Sequence, residues 1–203
     1  YTKRYPCPVM SIPNFVREIT DYSIERKNHI ITVGRLVPEK AQEYLIEAFA
    51  MLDASDWKLI LVGDGPKKIE LENQAKSLGV SKNVLFVGFQ KDVDYYLSQS
   101  KIFVLTSIRE GYPNALIEAM AHGLACVSFD CNAGPSEIIE NNVNGYLVPL
   151  KDVSALAERI QSLIHNQNLL KKFSEKAKLI RNSNNSAMLA ERYYQFLKLV
   201  SQS

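Results

Sequence analysis

From about residue 30 onward, short and almost continuously apolar runs alternate with amphipathic stretches. The runs at 30–33, 58–62, 84–87, 102–106, 125–129 and 146–148 are rich in β-branched or aromatic residues and bounded by Gly, Asp or Asn, which predicts strands. Such unbroken hydrophobicity marks parallel strands covered on both faces, because a sheet with one wet face would alternate. The intervening stretches carry a helical period. In 40–52, Tyr44, Leu45, Ala48, Phe49 and Leu52 recur every three to four residues and form one stripe. The stretch 66–78 opens on Pro66 and is followed by Gly79, as expected when Pro sits at a helix start and Gly just past its end. Helices are also predicted over 92–99 and over 113–122, the latter stopped by Gly123.

Strand–helix repetition of this kind predicts an α/β fold, a doubly wound Rossmann-like parallel sheet of about six strands flanked by helices, with right-handed crossovers. A ligand site in such a sheet lies at the carboxyl ends of the strands. After Pro149 the strands cease, and 152–165, 168–181 and 186–200 read as three helices. Residues 1–28 contain Pro6, Pro8 and Pro13, show no period and read as a linker. The α/β domain then spans 29–182, and 183–203 is a C-terminal helix after the polar break at 182–185.

A hydrophobic share of 46% against 23% charged is that of an ordinary globular protein. The formal charge of +2, with acids and bases mixed along the chain, supplies no basic field for a nucleic-acid backbone. Any anion site must therefore be local. The three cysteines, Cys7, Cys126 and Cys131, are odd in number and lack zinc spacing, against both a disulfide framework and a metal knuckle. Cys126, inside an apolar run, reads as a buried, inert thiol. This usage suits a reducing compartment, and a cytoplasmic location is expected. No apolar stretch approaches the ~20 residues that span a bilayer, and no signal-peptide pattern opens the sequence. A chain that starts at Tyr1 rather than Met is expected to be processed, or part of something longer.

Four features sit where strands end and should converge on one crevice. In Gly34-Arg35-Leu36-Val37-Pro38-Glu39-Lys40, two cations on a strand-to-helix loop can close on a diphosphate, Arg as a fork and Lys as a point charge. Taken alone, the same spacing is also what a solvated loop with surface charges shows. In Gly63-Asp64-Gly65-Pro66, two glycines permit close backbone approach before a helix, without the dinucleotide pattern G-x-G-x-x-G. In the segment from Glu110 to Glu118, Gly111 lies on the loop and a helix begins near Pro113. Free amides around Asn114, Ala115 and Leu116 would point at an anion with the helix dipole behind them. Glu110 lies before this helix and Glu118 more than a turn inside it, which suits two separate tasks rather than a carboxylate pair. Glu118 falls on an apolar stripe and needs a partner there. The fourth feature is Ala133-Gly134-Pro135-Ser136-Glu137, where Ser136 or Glu137 can equally be an N-terminal cap. His122 reads as a helix-end residue favourable to the dipole. His29 falls in the linker and His165 on a polar face. No His adjoins a nucleophile pattern, and no cluster has metal-ligand spacing.

Taken together, these residues resemble the C-terminal donor-binding domain of retaining, GT-B-fold glycosyltransferases of family four, also known as glycosyltransferase group 1. The resemblance runs from about residue 30 to 148 and rests most on Glu110-x7-Glu118 followed by Ala119-Met120-Ala121-x-Gly123. Gly34-Arg35 with Lys40, Gly63-Asp64-Gly65-Pro66, and Gly134-Pro135-x-Glu137-Ile138-Ile139 fall in the family's order. The resemblance implies that Arg35 and Lys40 neutralise a donor diphosphate and that Glu110 contacts the transferred sugar. Glu118 would hold ribose hydroxyls, amides near Asn114 and Ala115 would bind phosphate, and Gly88-Phe89 would face the base. It implies no metal and no cofactor beyond the nucleoside-diphosphate-sugar substrate. It also implies one half of a GT-B fold, with Ile12-Pro13-Asn14 ending the linker from an acceptor-binding N-terminal domain. The last helix, through Leu189, Tyr193, Tyr194, Phe196 and Leu197, would pack on that domain. Contact with a membrane surface would come through the full-length protein. Ala41 stands where the family usually has Gly, with little effect on phosphate contact expected. The competing functions are a non-catalytic nucleotide-binding module and a nucleotide-sugar epimerase of the same shape.

Overall fold

The computed structural model describes residues 9–10 and 12–201; Pro6, Cys7 and Pro8 lie outside them. All six strands are parallel partners in one sheet: β1 (His29–Val33), β2 (Lys58–Val62), β3 (Val84–Gly88), β4 (Ile102–Leu105), β5 (Ala125–Phe129) and β6 (Tyr146–Val148), in the order β3-β2-β1-β4-β5-β6. Successive side chains face opposite sides, as the two-residue strand period requires. Ile30, Leu59, Leu61, Ile102 and Val104 point into one core layer. Ile31, Ile60, Val62, Phe103 and Leu105 point into the other. The first layer is closed by α1 (Gln42–Ala50), α2 (Lys68–Ser77) and α6 (Val153–His165), and the second by α3 (Val93–Gln99) and α4 (Asn114–Ala121). Both faces of the central strands are therefore dry, which accounts for their unbroken apolar character.

The strand order reverses between β1 and β4. These two strands share only the register pairs Ile30↔Ile102 and Ile31↔Phe103, whereas β1 and β2 are paired along their whole length. Beyond Phe103 the neighbours part, opening a crevice at the carboxyl ends where connections leave in opposite directions.

Several elements differ from the pattern reading, each for a local reason. The stretch 40–52 is not one helix. A 3-10 turn, Pro38–Lys40, ends at Ala41, a left-handed residue (φ 49°, ψ 43°) that re-aims the chain before α1 starts at Gln42. The stretch 168–181 divides into α7 (Gln167–Ala177) and α8 (Ile180–Ser183), with α9 (Ser186–Ser201) following. Ser136 and Glu137 do not cap: they lie inside α5 (Pro135–Ile138), whose capping position is Gly134. His29 is the first residue of β1 rather than part of a linker. Leu189 is buried against the rest of the chain, so on α9 the exposed apolar surface includes Met188, Tyr193, Tyr194, Leu197 and Leu199.

Residues 12–28 have no regular structure, as expected, but they are docked. Val16 N–H donates to the Asn184 carbonyl (2.8 Å), and Asn184 Nδ2 returns a bond to the Asn14 carbonyl (3.1 Å). Arg26 donates to the carbonyls of Ser100, His122 and Gly123 at the ends of α3 and α4. The segment is a strap across these helices. Its bonds come from side chains and isolated amides, so no periodicity announces it.

Candidate functional site

The crevice is built from backbone that approaches too closely for side chains. Gly63 follows β2 at φ +139°, and a Cβ there would stand 1.9 Å from the Gly34 carbonyl oxygen. Gly34 N–H donates to Val62 O (2.9 Å) and Gly63 N–H to Gly88 O (2.8 Å), lacing the ends of three strands together. Across the crevice Gly134 (φ +96°) lies under the α4 loop, where a Cβ would meet Pro113 Cδ at 2.7 Å and the Gly111 oxygen at 2.9 Å.

Lys40 and Glu110 arrive from opposite sides of the strand reversal. The turn carrying Lys40 is tied to the loop after β4 by Thr106 Oγ1 donating to Lys40 O (3.0 Å) and Ile108 N–H donating to Glu39 O (2.9 Å). Between these anchors Lys40 Nζ lies 2.5 Å from Glu110 Oε1, with only 10% of the Glu110 side chain exposed. Arg35, Lys40, Glu110 and Gly111 line one open hollow of about 770 Å³, joined by Arg109. Arg109 escaped the sequence reading because a charge before Glu110 looks like any other loop cation. The Arg35 side chain is exposed, with no protein partner among the described residues.

Gly34, Arg35 and Phe89 share a second, mostly apolar hollow of about 280 Å³ with Asp64, Gln90 and Val93. Phe89 is 74% exposed at its rim, and Gly88 closes β3 beside it. The start of α4 lies between the first hollow and a third. Leu116, expected to offer a free amide, does not: its N–H donates to Pro113 O (3.1 Å) and its side chain is fully buried. The first turn is closed by an i→i+3 bond that consumes this donor. The amides of Asn114 and Ala115 have no intrachain partner among the described residues.

The third hollow, about 320 Å³, is lined by Asn14, Phe15, Arg17, Asn114, Ile117 and Glu118. Glu110 and Glu118 thus face different spaces on either side of the α4 start, as their sequence separation suggested. The partner that Glu118 needed is Arg17, whose Nε donates to Glu118 Oε1 at 2.8 Å. Arg17 also grips both oxygens of Asp94, at 3.0 and 2.5 Å. Asp94 further accepts from Thr20 N–H (2.8 Å) and meets His122 Nε2 at 3.0 Å. Burial would raise the Asp94 pKa, but the bonds from Arg17, Thr20 and His122 outweigh it and hold the carboxyl at about 2. The hydrogen bond to Asp94 pushes the Arg17 pKa up against partial burial, with Glu118 adding to the rise. His122 caps α4 and is buried; burial lowers its pKa, offset in part by the bond to Asp94. It stands at the helix end, as expected, and is bonded there to Asp94 and Ser98 Oγ (3.3 Å). Neither Arg17 nor Asp94 was legible beforehand.

Cys126 is fully buried, and burial raises its thiol pKa; Cys131 is raised by burial and by the Glu110 charge. Among the described residues no three His, Cys, Asp or Glu side chains cluster to hold a metal ion, and no helix is long and apolar enough to cross a membrane.

This crevice, with an Arg–Lys pair on one side and a carboxylate and helix start on the other, lies within a stretch of the chain that matches a family model. The model for glycosyl transferases group 1 covers residues 17–180. The chain belongs to this family. Among group 1 relatives, the amylovoran biosynthesis glycosyltransferase AmsD of Erwinia amylovora is 31% identical over 164 residues, covering 81% of this chain and 46% of its own length. A variant of S. aureus TarM, solved with fondaparinux, alpha-GlcNAc-glycerol and UDP, superposes with a TM-score of 0.87 at 26% identity, covering 96% of this chain and 40% of that one. Anabaena Alr3699/HepE in complex with UDP gives a TM-score of 0.80 at 26% identity, covering 85% and 49%. The chain spans less than half the length of the curated relatives it matches.

Proposed function

We propose that this chain is the donor-binding half of a retaining glycosyltransferase that takes a UDP-sugar. The observation that carries the reading is the Lys40–Glu110 pair, brought together across the strand reversal beside the exposed Arg35 and the start of α4. A diphosphate fits there between cations and the amides of Asn114 and Ala115. The base occupies the apolar slot under Phe89, Glu118 takes ribose hydroxyls in the third hollow, and Glu110 faces the transferred sugar. When the bond from the anomeric carbon to the diphosphate oxygen breaks, its electron pair passes to that oxygen. Arg35 and Lys40 neutralise the charge that grows there, in place of a metal ion. Uracil as the base is supported by the UDP held in the similar TarM and HepE structures. Retention of anomeric configuration follows from the family resemblance. Residues 12–28 are the linker from an acceptor-binding N-terminal domain, and the exposed apolar side of α9 packs toward that domain. The chain's share of its relatives' length leaves room for such a domain. The isolated chain then binds nucleotide but transfers little sugar.

Calorimetric titration of the chain with UDP, GDP and ADP tests this. UDP is expected to bind most tightly, and Lys40→Ala to weaken it at least tenfold, since one hydrogen bond to a charged group contributes about 1.5–3 kcal/mol. Equal, negligible heats for all three nucleotides would defeat the proposal.

A further inference from the structure

Glu118 does not stand alone on α4. One of its oxygens is taken by Arg17 Nε, while Oε2 has no protein partner among the described residues and the carboxylate lines the third hollow. The other two guanidinium nitrogens of Arg17 are spent on Asp94, which is itself locked by Thr20 N–H and His122. His122 is braced in turn by Ser98. A guanidinium forked onto a buried carboxylate has little freedom, so the single bond it extends to Glu118 has a fixed direction. The groups facing one another here are Arg17, Asp94, Glu118 and His122; Arg181 and Asp21 act on His122 from farther off. Without Arg17, two carboxylates would share this region with no cation in contact, and Glu118 would turn away from Asp94.

We infer that Arg17 is a positioning residue: it orients Glu118 so that its free oxygen accepts hydrogen bonds from the vicinal diol of a nucleotide ribose. The inference rests on the donor-binding reading above and goes beyond it, because it assigns a role in the site to a strap residue outside the α/β framework. A second bond from the strap, Asn14 Nδ2 to Asn114 Oδ1 at 2.7 Å, joins two further residues that line the same hollow.

The test is calorimetry with UDP and with 2′,3′-dideoxy-UDP on wild type, Arg17→Gln and Arg17→Lys, each checked by thermal melting. Arg17→Gln is expected to weaken UDP about tenfold, the scale of one positioned charged hydrogen bond, and 2′,3′-dideoxy-UDP less than about twofold. Arg17→Lys keeps a cation against Asp94 and therefore the fold, but cannot fork. It is expected to lose part of the preference for UDP and none of the affinity for the dideoxy nucleotide. Equal losses for both nucleotides in the folded variants, or none, overturn the positioning role while leaving donor binding intact. A wild-type chain that binds neither nucleotide overturns the donor-binding reading, and this inference with it.

Discussion

The sharpest test of how the crevice is built is Gly63→Ala, with Gly88→Ala as its control. Both glycines have positive φ, +139° and +71°, so both variants carry a backbone cost for an L residue, about 1–3 kcal/mol. They differ in space. A Cβ at Gly88 meets nothing within 4 Å, whereas at Gly63 it stands 1.9 Å from Gly34 O and 2.8 Å from Gly34 C. A carbon–oxygen contact relaxes at roughly 3.3 Å, the lower end of weak C–H···O contacts, so the ends of β1 and β2 must separate by more than 1 Å. That breaks the Gly34 N–H bond to Val62 O. Overpacking adds about 1–3 kcal/mol, and the lost bond about 1 kcal/mol. Gly63→Ala should therefore cost at least about 2 kcal/mol more than Gly88→Ala. Urea denaturation followed by circular dichroism reads the difference, as a lower midpoint at similar slope. Equal midpoints for the two variants would refute the close-approach argument.

Two further outcomes follow from the same structure. Ala41→Gly should raise stability by roughly 0.5–1 kcal/mol, because relief of the left-handed conformation outweighs the extra unfolded-state freedom of Gly; a lower urea midpoint would contradict this. Stability should be level near neutrality and fall on acidification in two stages. His122, with its folded pKa below the unfolded value, contributes stability that is present above about pH 6.5 and lost as pH falls through its folded pKa. Asp94, held at about 2, contributes stability present above its unfolded pKa near 4 and lost between about pH 4 and 2. That second stage amounts to at most about 2 kcal/mol, since the Arg17 side chain is 40% exposed and solvent screens part of the interaction. Asp94→Asn should flatten the acid limb in pH-dependent melting.

The six strands were legible because each is short, apolar and punctuated, and that information is local. Their spatial order was not, because which strands pair is decided by connections and packing rather than by period. Lys40 and Glu110 could be assigned to one crevice from the rule that strand ends converge, though nothing in the residues said they would touch. Ala41 was invisible as a break: alanine has the best helix propensity, and here the bonds tying the preceding turn to the loop after β4 override it. Arg17 was missed for a different reason. The strap has neither strand nor helix period, and its value lies in side-chain bonds to residues 77 and 101 positions away. Leu116 shows the reverse error, a sound general rule about helix starts applied one residue too far.

On the donor-binding reading, the ion pair between Lys40 and Glu110 gives the crevice a two-point requirement. Lys40 has three N–H donors and gives one to Glu110, so an anion taken up by the same ammonium lies beside a carboxylate that is 10% exposed, and the two negative charges repel. A molecule that brings a negative oxygen and, a few ångströms away, a hydroxyl able to donate to Glu110 satisfies both ends at once. On the donor-binding reading, an intact donor carries both groups and is favoured over a small anion before any larger contact is made.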